Sequence, residues 1–176
     1  MRNRGFSLIE LMIGLALAVI LILLSVPNYA TWTADAQIRN GVESVATGLR
    51  FAHGEAIKRN AAVEFILDPT TATGGWQINV VGVGVVQTTS FGEAATRVQF
   101  APTPAGATTV TFTGLGAVAA ANADASPILT EIAASHAGTV TDTRPLTVLV
   151  GGGRTGIKIC DPAITDATSP RFCTAA

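Results

Sequence analysis

A run of apolar residues from Phe6 to Val26, entered through a short basic leader and broken by one charge, constrains this chain more than any other feature. The leader is Met1-Arg2-Asn3-Arg4-Gly5, and the charge is Glu10. At 1.5 Å per residue the run makes about 31 Å of helix, enough to cross the hydrocarbon core of a bilayer. Arg2 and Arg4 precede the run, and Glu10 is the only acid before Asp35. The positive-inside rule therefore keeps the N-terminus cytoplasmic and sends the rest of the chain outward. No second apolar run of that length follows, so one crossing is expected. A charge deep in hydrocarbon costs roughly 2.5–3.5 kcal/mol even on lenient insertion scales, so such residues have a partner and a role.

The helix does not stop where the apolar run ends. Pro27 removes one helix hydrogen bond and is expected to bend the chain there. Beyond it, small and apolar residues recur at Ala30, Ala34, Ile38, Val42, Val45, Leu49, Ala52 and Ala56, the spacing of one helix face. Asp35, Arg39, Glu43, Arg50, Glu55, Lys58 and Arg59 flank that face, and Glu55 and Arg59 stand in the favourable i,i+4 order. One helix is expected from Phe6 to about Asn60, roughly 80 Å if continuous. Its first half is apolar all round, its second half amphipathic and in need of a sheet, with Gly14, Gly41, Gly48 and Gly54 as soft points.

After Asn60 the period changes. Ala62–Leu67 and Gln77–Val81 read as strands, separated by Asp68-Pro69 and Gly74-Gly75 turn signals. Val83–Thr88, Arg97–Ala101, Thr109–Thr113, Leu146–Val150 and Ile157–Cys160 are further short runs rich in Val, Ile, Thr and Phe. The Ala-, Gly- and Thr-rich stretch Gly114–Gly138 is read as loop or as a short helix around Ile128–Ser135. Many short strands after one long helix predict an α+β domain of antiparallel sheet packed on the helix. The expected division is a leader at 1–5, a membrane or core helix at 6–27, an amphipathic half at 28–60 and a β-rich globular part at 61–176.

Cys160 and Cys173 lie close together on the outward side. In an oxidising compartment they would bridge, closing a loop of about 14 residues for roughly 3 kcal/mol. The alternative is two free thiols. A metal site is disfavoured, since two cysteines without nearby histidine do not complete a tetrahedral set.

Catalytic chemistry is sparse. The two histidines, His53 on the amphipathic helix and His136 in a small-residue loop, belong to no visible nucleophile–base set. Gly151-Gly152-Gly153-Arg154-Thr155 lacks the Gly-Lys-Ser/Thr ending of a phosphate-binding loop and reads as a turn between two strands. No enzyme, cofactor or metal is expected. The net charge of -1 gives no basic field that would attract nucleic acid.

Gly5-Phe6-Ser7-Leu8-Ile9-Glu10 followed by the apolar run, with Pro27 near its end, resembles the class III signal of type IV pilins and type II secretion pseudopilins. Two further segments narrow the resemblance. Leu49-Arg50-Phe51-Ala52-His53-Gly54-Glu55-Ala56-Ile57-Lys58-Arg59-Asn60 is similar to a helix-end segment of the pseudopilin H and FimT/FimU minor-pilin family, with His53-Gly54 in place of the usual Arg-x. Gly153-Arg154, Cys160-Asp161-Pro162 and Pro170-Arg171-Phe172-Cys173 are similar to the tail of FimT-like members.

The resemblance implies a pilin-like fold and a structural subunit of a secretion pseudopilus or type IV pilus. Prepilin peptidase would cut after Gly5 and methylate Phe6 on the cytoplasmic side of the inner membrane, leaving the globular part periplasmic. The subunit would then join other pilins or pseudopilins in a helical filament. There Glu10 would neutralise the Phe6 amine of a neighbour, because an unpaired buried charge is costly. The remaining reading from the anchor alone is a single-pass protein with a periplasmic ligand-binding domain. Some FimT-like members are linked to DNA uptake through a Gly-Arg-x-Arg tail. Here Thr155 and Gly156 follow Arg154, so Arg154 and Lys158, which Arg171 and Arg144 could join, would form only a small basic patch, diluted by Asp142, Asp161 and Asp166. From Ala61 onward there are five Lys/Arg against eight Asp/Glu.

Overall fold

A computed structural model describes residues 7–70, 74–140, 142–151 and 156–173, with backbone alone for 23–28 and 93–94. Helix α1 spans Leu8–Arg59 and stays α-helical through position 27, so proline does not interrupt it. It ends at Asn60, which adopts a left-handed conformation (φ 48°) and donates its N–H toward Ala56 and Ile57. Asparagine tolerates that conformation better than most residues, which makes it a fitting stop.

Eight strands follow: β1 (Val63–Asp68), β2 (Gly75–Val80), β3 (Gly84–Ser90), β4 (Val98–Thr103), β5 (Thr109–Phe112), β6 (Glu131–His136), β7 (Leu146–Val150) and β8 (Ile157–Cys160), with a 3-10 turn at Gly92–Ala95. They form two antiparallel sheets, ordered β3-β2-β1-β5 and β4-β6-β7-β8. The C-terminal half of α1 packs on both, giving the expected α+β architecture.

The predicted helix face is the buried one. Ala34 is buried, and Ile38, Val42, Val45, Leu49, Ala52 and Ala56 are buried in one core with Phe65, Ile78, Val110, Phe112, Ile132 and Val148. Two of the glycines expected to be soft points are close-approach notches. A Cβ at Gly41 would stand 2.9 Å from Phe100 Cζ of the second sheet, and one at Gly48 would stand 2.7 Å from Trp76 Cδ2 of the first. Two turns apart on one helix, they let each sheet reach the backbone.

Each of the seven expected strands is present. The stretch 128–135 is the exception: it carries neither helix nor plain loop but the central strand β6, and His136 ends that strand. Ile132 and Ala134 are buried while Glu131 and Ala133 are less so, which is the two-residue period of a strand. Alanine's helix preference is a weak prior. Here it yields to the ladders that β4 and β7 offer on either side. β7 and β8 are antiparallel neighbours, and Gly151 N–H donates to Gly156 O at 2.6 Å; residues 152–155, on which the turn reading falls, lie outside the described residues.

Candidate functional site: the exposed helix and the C-terminal edge

The N-terminal part of α1 is laid bare by the fold. Leu8, Ile9, Leu11, Met12, Ile13, Leu15, Leu17, Val19, Ile20, Leu21 and Ile22 are all exposed, whereas burial begins at Ala34. An apolar helix exposed on every side does not persist in water, so this surface is built to be covered by lipid or by other helices. Among the described residues no helix is long and apolar enough to cross a membrane; the described apolar side chains run from Leu8 to Ile22. Glu10 sits in the first turn, where a carboxylate favours the helix dipole, and its N–H donates to Ser7 O at 3.1 Å. Glu10, Gly14 and Ala18 follow at i, i+4 and i+8, one polar atom set on an otherwise smooth apolar stripe. Gly5 and Phe6, and the side chain of Pro27, lie outside the described residues.

At the far end of the helix, Glu55 is buried and accepts from Arg59 Nε at 2.6 Å and from Lys58 Nζ at 3.2 Å. The Arg59 hydrogen bond, then that of Lys58, holds its carboxyl below the usual range. The family-like helix-end segment is therefore a folding element: it locks the last turn of α1 before β1 begins. His53, half-buried in the same turn, meets the ring of Phe112 edge-on at 5.7 Å.

The C-terminal edge is tied by the Cys160–Cys173 disulfide, with Cα atoms 5.1 Å apart. Inside that loop Asp161 is buried, accepts from Ala163 N–H at 3.0 Å and donates its own N–H to Arg171 O at 2.9 Å. Arg171 faces Asp161 Oδ2 at 3.9 Å and, with Arg39, Val42, Glu43, Leu146 and Ile159, borders a groove of about 270 Å³ between α1 and the second sheet. Lys158 precedes Ile159 in β8 and so projects from the opposite strand face. Arg154 lies outside the described residues. Arg144 is held by its backbone, its N–H donating to Asp35 Oδ1 of α1 at 2.8 Å.

Sequence reasoning passed over Asn122. Its side-chain amide donates to Thr109 O at 3.0 Å, to Ser126 O and to Pro127 O, and its Oδ1 accepts from Thr111 Oγ1 at 2.9 Å. This buried residue pins the 113–130 connection along the edge of β5. Asn122 followed by Asp124 and Pro127, in a stretch otherwise made of small residues, was the available signal of turn chemistry. Among the described residues no group of three or more His, Cys, Asp or Glu could hold a metal ion.

Comparison with family models gives two matches. Residues 1–26 match the prokaryotic N-terminal methylation motif. Residues 41–156 match type II transport protein GspH. Searches against curated proteins and against solved structures give no match. The second family model covers more than half of the chain, from the notch at Gly41 to the start of β8, and the chain therefore belongs to the GspH family of type II transport pseudopilins.

Proposed function

We propose that this protein is a structural minor pseudopilin or minor pilin that is cut after Gly5, methylated at Phe6, held in the inner membrane by residues 6–27 and drawn into a helical filament through α1. The observation that carries this reading is the division of one continuous helix: exposed and apolar from Leu8 to Ile22, buried on one face from Ala34 to Ala56. The membrane anchor rests on the sequence run Phe6–Val26, which extends past the described apolar side chains on both sides. The first half is as stable among like helices as in lipid, so transfer between the two needs no refolding. Glu10 is the exception, because in a helix bundle it needs a cation. The amine of Phe6 on a neighbouring subunit supplies one and fixes the axial register.

Mass spectrometry of the mature chain tests the processing: an N-methylated Phe6 terminus is expected, and an intact Met1-Arg2 leader would mean a plain membrane anchor. Glu10→Leu tests the assembly: the variant is expected to insert in the membrane at normal levels yet fail to enter filaments, and normal recruitment would refute the role of Glu10. The DNA-uptake alternative depends on Arg154, Lys158 and Arg171. It requires a mobility shift of DNA by the purified protein that weakens steeply with salt.

A further inference from the structure

Tyr29 and Trp32 are the two large aromatic side chains between the apolar segment and the head. They sit three residues apart on one face of α1, with ring centroids 6.0 Å from each other. Both are strongly exposed, at 67% and 66%. The head begins directly after them: Ala34 is buried, and Asp35 accepts the hydrogen bond from Arg144. A ring pair held together, left bare and adjacent to a tightly packed domain has an obvious chemical preference. Tyrosine and tryptophan combine an apolar body with a polar tip, and both concentrate where hydrocarbon meets headgroups.

The axial spacing agrees. Along an α-helix Tyr29 stands about 35 Å beyond Phe6 and Trp32 about 39 Å. A hydrocarbon core is about 30 Å thick, and about 40–45 Å with both headgroup layers. With Phe6 at the inner boundary, the ordinary helix tilt of about 20° shortens both distances. Helical side chains also lean toward the N-terminus, which lowers both rings further. Both then fall in the outer headgroup layer.

We propose that Tyr29 and Trp32 form an interfacial anchor that seats in the headgroup layer of the outer leaflet and fixes the height at which the head waits above the membrane. This rests on the membrane-anchor reading above. Extraction into a filament would pull the ring pair out of that layer, so the pair opposes premature release.

Full-length protein is reconstituted in vesicles of phosphatidylethanolamine and phosphatidylglycerol carrying bromine either near the headgroup or near the chain end. Flotation first reports insertion. The emission of Trp32 is then taken as the difference between the unaltered chain and Trp32→Phe, since Trp76 is buried in the head. The expected result is flotation with a larger loss of Trp32 emission to the shallow bromine than to the deep one. Flotation with quenching by aqueous iodide but by neither lipid overturns the anchor and leaves the membrane reading intact. Stronger deep quenching overturns it by placing the rings in hydrocarbon. Shielding from lipid and iodide alike overturns it in favour of cover by a second copy or by the head. Failure to float removes both the membrane reading and the anchor.

Discussion

Trp76 packs against the bare backbone of Gly48, and its indole N–H reaches over to donate to Ser44 Oγ at 3.1 Å, one turn earlier on α1. A Cβ at position 48 would stand 2.7 Å from Trp76 Cδ2 and 2.8 Å from Phe65 Cε2. Those two rings are themselves stacked, with centroids 6.1 Å apart, so neither yields easily.

Gly48→Ala is therefore expected to destabilise the fold by about 1–3 kcal/mol, the usual range for overpacking a core. Gly54→Ala is expected to act in the opposite sense. Position 54 lies on the same helix, is exposed, and a Cβ there meets nothing within 4 Å. The helix-propensity gain of about 0.5–1 kcal/mol should then appear without penalty. Urea unfolding of the two variants checks the contrast in sign.

Asn122→Ala removes the donor to Thr109 O and the acceptor for Thr111 Oγ1, both on β5. Leaving buried polar groups unpaired costs about 1–3 kcal/mol. Amide exchange is expected to accelerate in β5 and in the 117–129 segment that covers its edge. The second sheet should stay protected. Uniform acceleration across both sheets would contradict a local latch.

The acid sensitivity of the fold has a definite sign. Glu55 is held low by Arg59 and Lys58, Asp68 by Thr70, Asp124 by Ser126 and Asp166 by Thr168. Each carboxyl has a lower pKa folded than unfolded, so each contributes stability above its unfolded value, near 4, and loses it as pH falls through the folded value. Stability from these groups is expected to be level from neutral pH down to about 5 and to decline below about 4. Glu55→Gln should flatten part of that decline in an acid-unfolding series.

Opening the Cys160–Cys173 bridge frees the 161–172 loop. Cys160→Ser with Cys173→Ser is expected to lower stability by roughly 3 kcal/mol in the chain-entropy account. Protease cleavage should increase within the loop, where only the Asp161–Phe172 bridge, the Arg171–Asp161 pair and local turns remain. Limited proteolysis under reducing and oxidising conditions reads this directly.

Much of the fold was legible because it is periodic. The face from Ala34 to Ala56 is buried as its spacing predicts, and Asn60 ends the helix where the pattern stops. The runs at Ala62–Leu67 and Leu146–Val150 are strands because β-branched and aromatic residues fit a pleated, half-buried surface. The sequence 131–136 was not legible as a strand. Glu-Ile-Ala-Ala-Ser-His has no strong β preference of its own, and only the neighbours β4 and β7 make it one.

The candidate site divides the same way. The basic leader, Glu10 and the apolar run are a linear signal, and nothing from the head alters their order along the chain. Of the tail bases, Arg171 borders the groove beside Ile159, Lys158 takes the alternate position in β8, and Arg154 lies outside the described residues. What the sequence by itself determined is whatever depends on neighbours along the chain: the helix, its two halves, its end, most strands and the closeness of Cys160 to Cys173. What only the tertiary structure decided depends on contacts between distant segments: Gly41 and Gly48 as notches rather than weak points, β6 as a central strand, and Asn122 as the latch on β5. Local propensities amount to tenths of a kcal/mol per residue, and one buried ring or amide outweighs several of them.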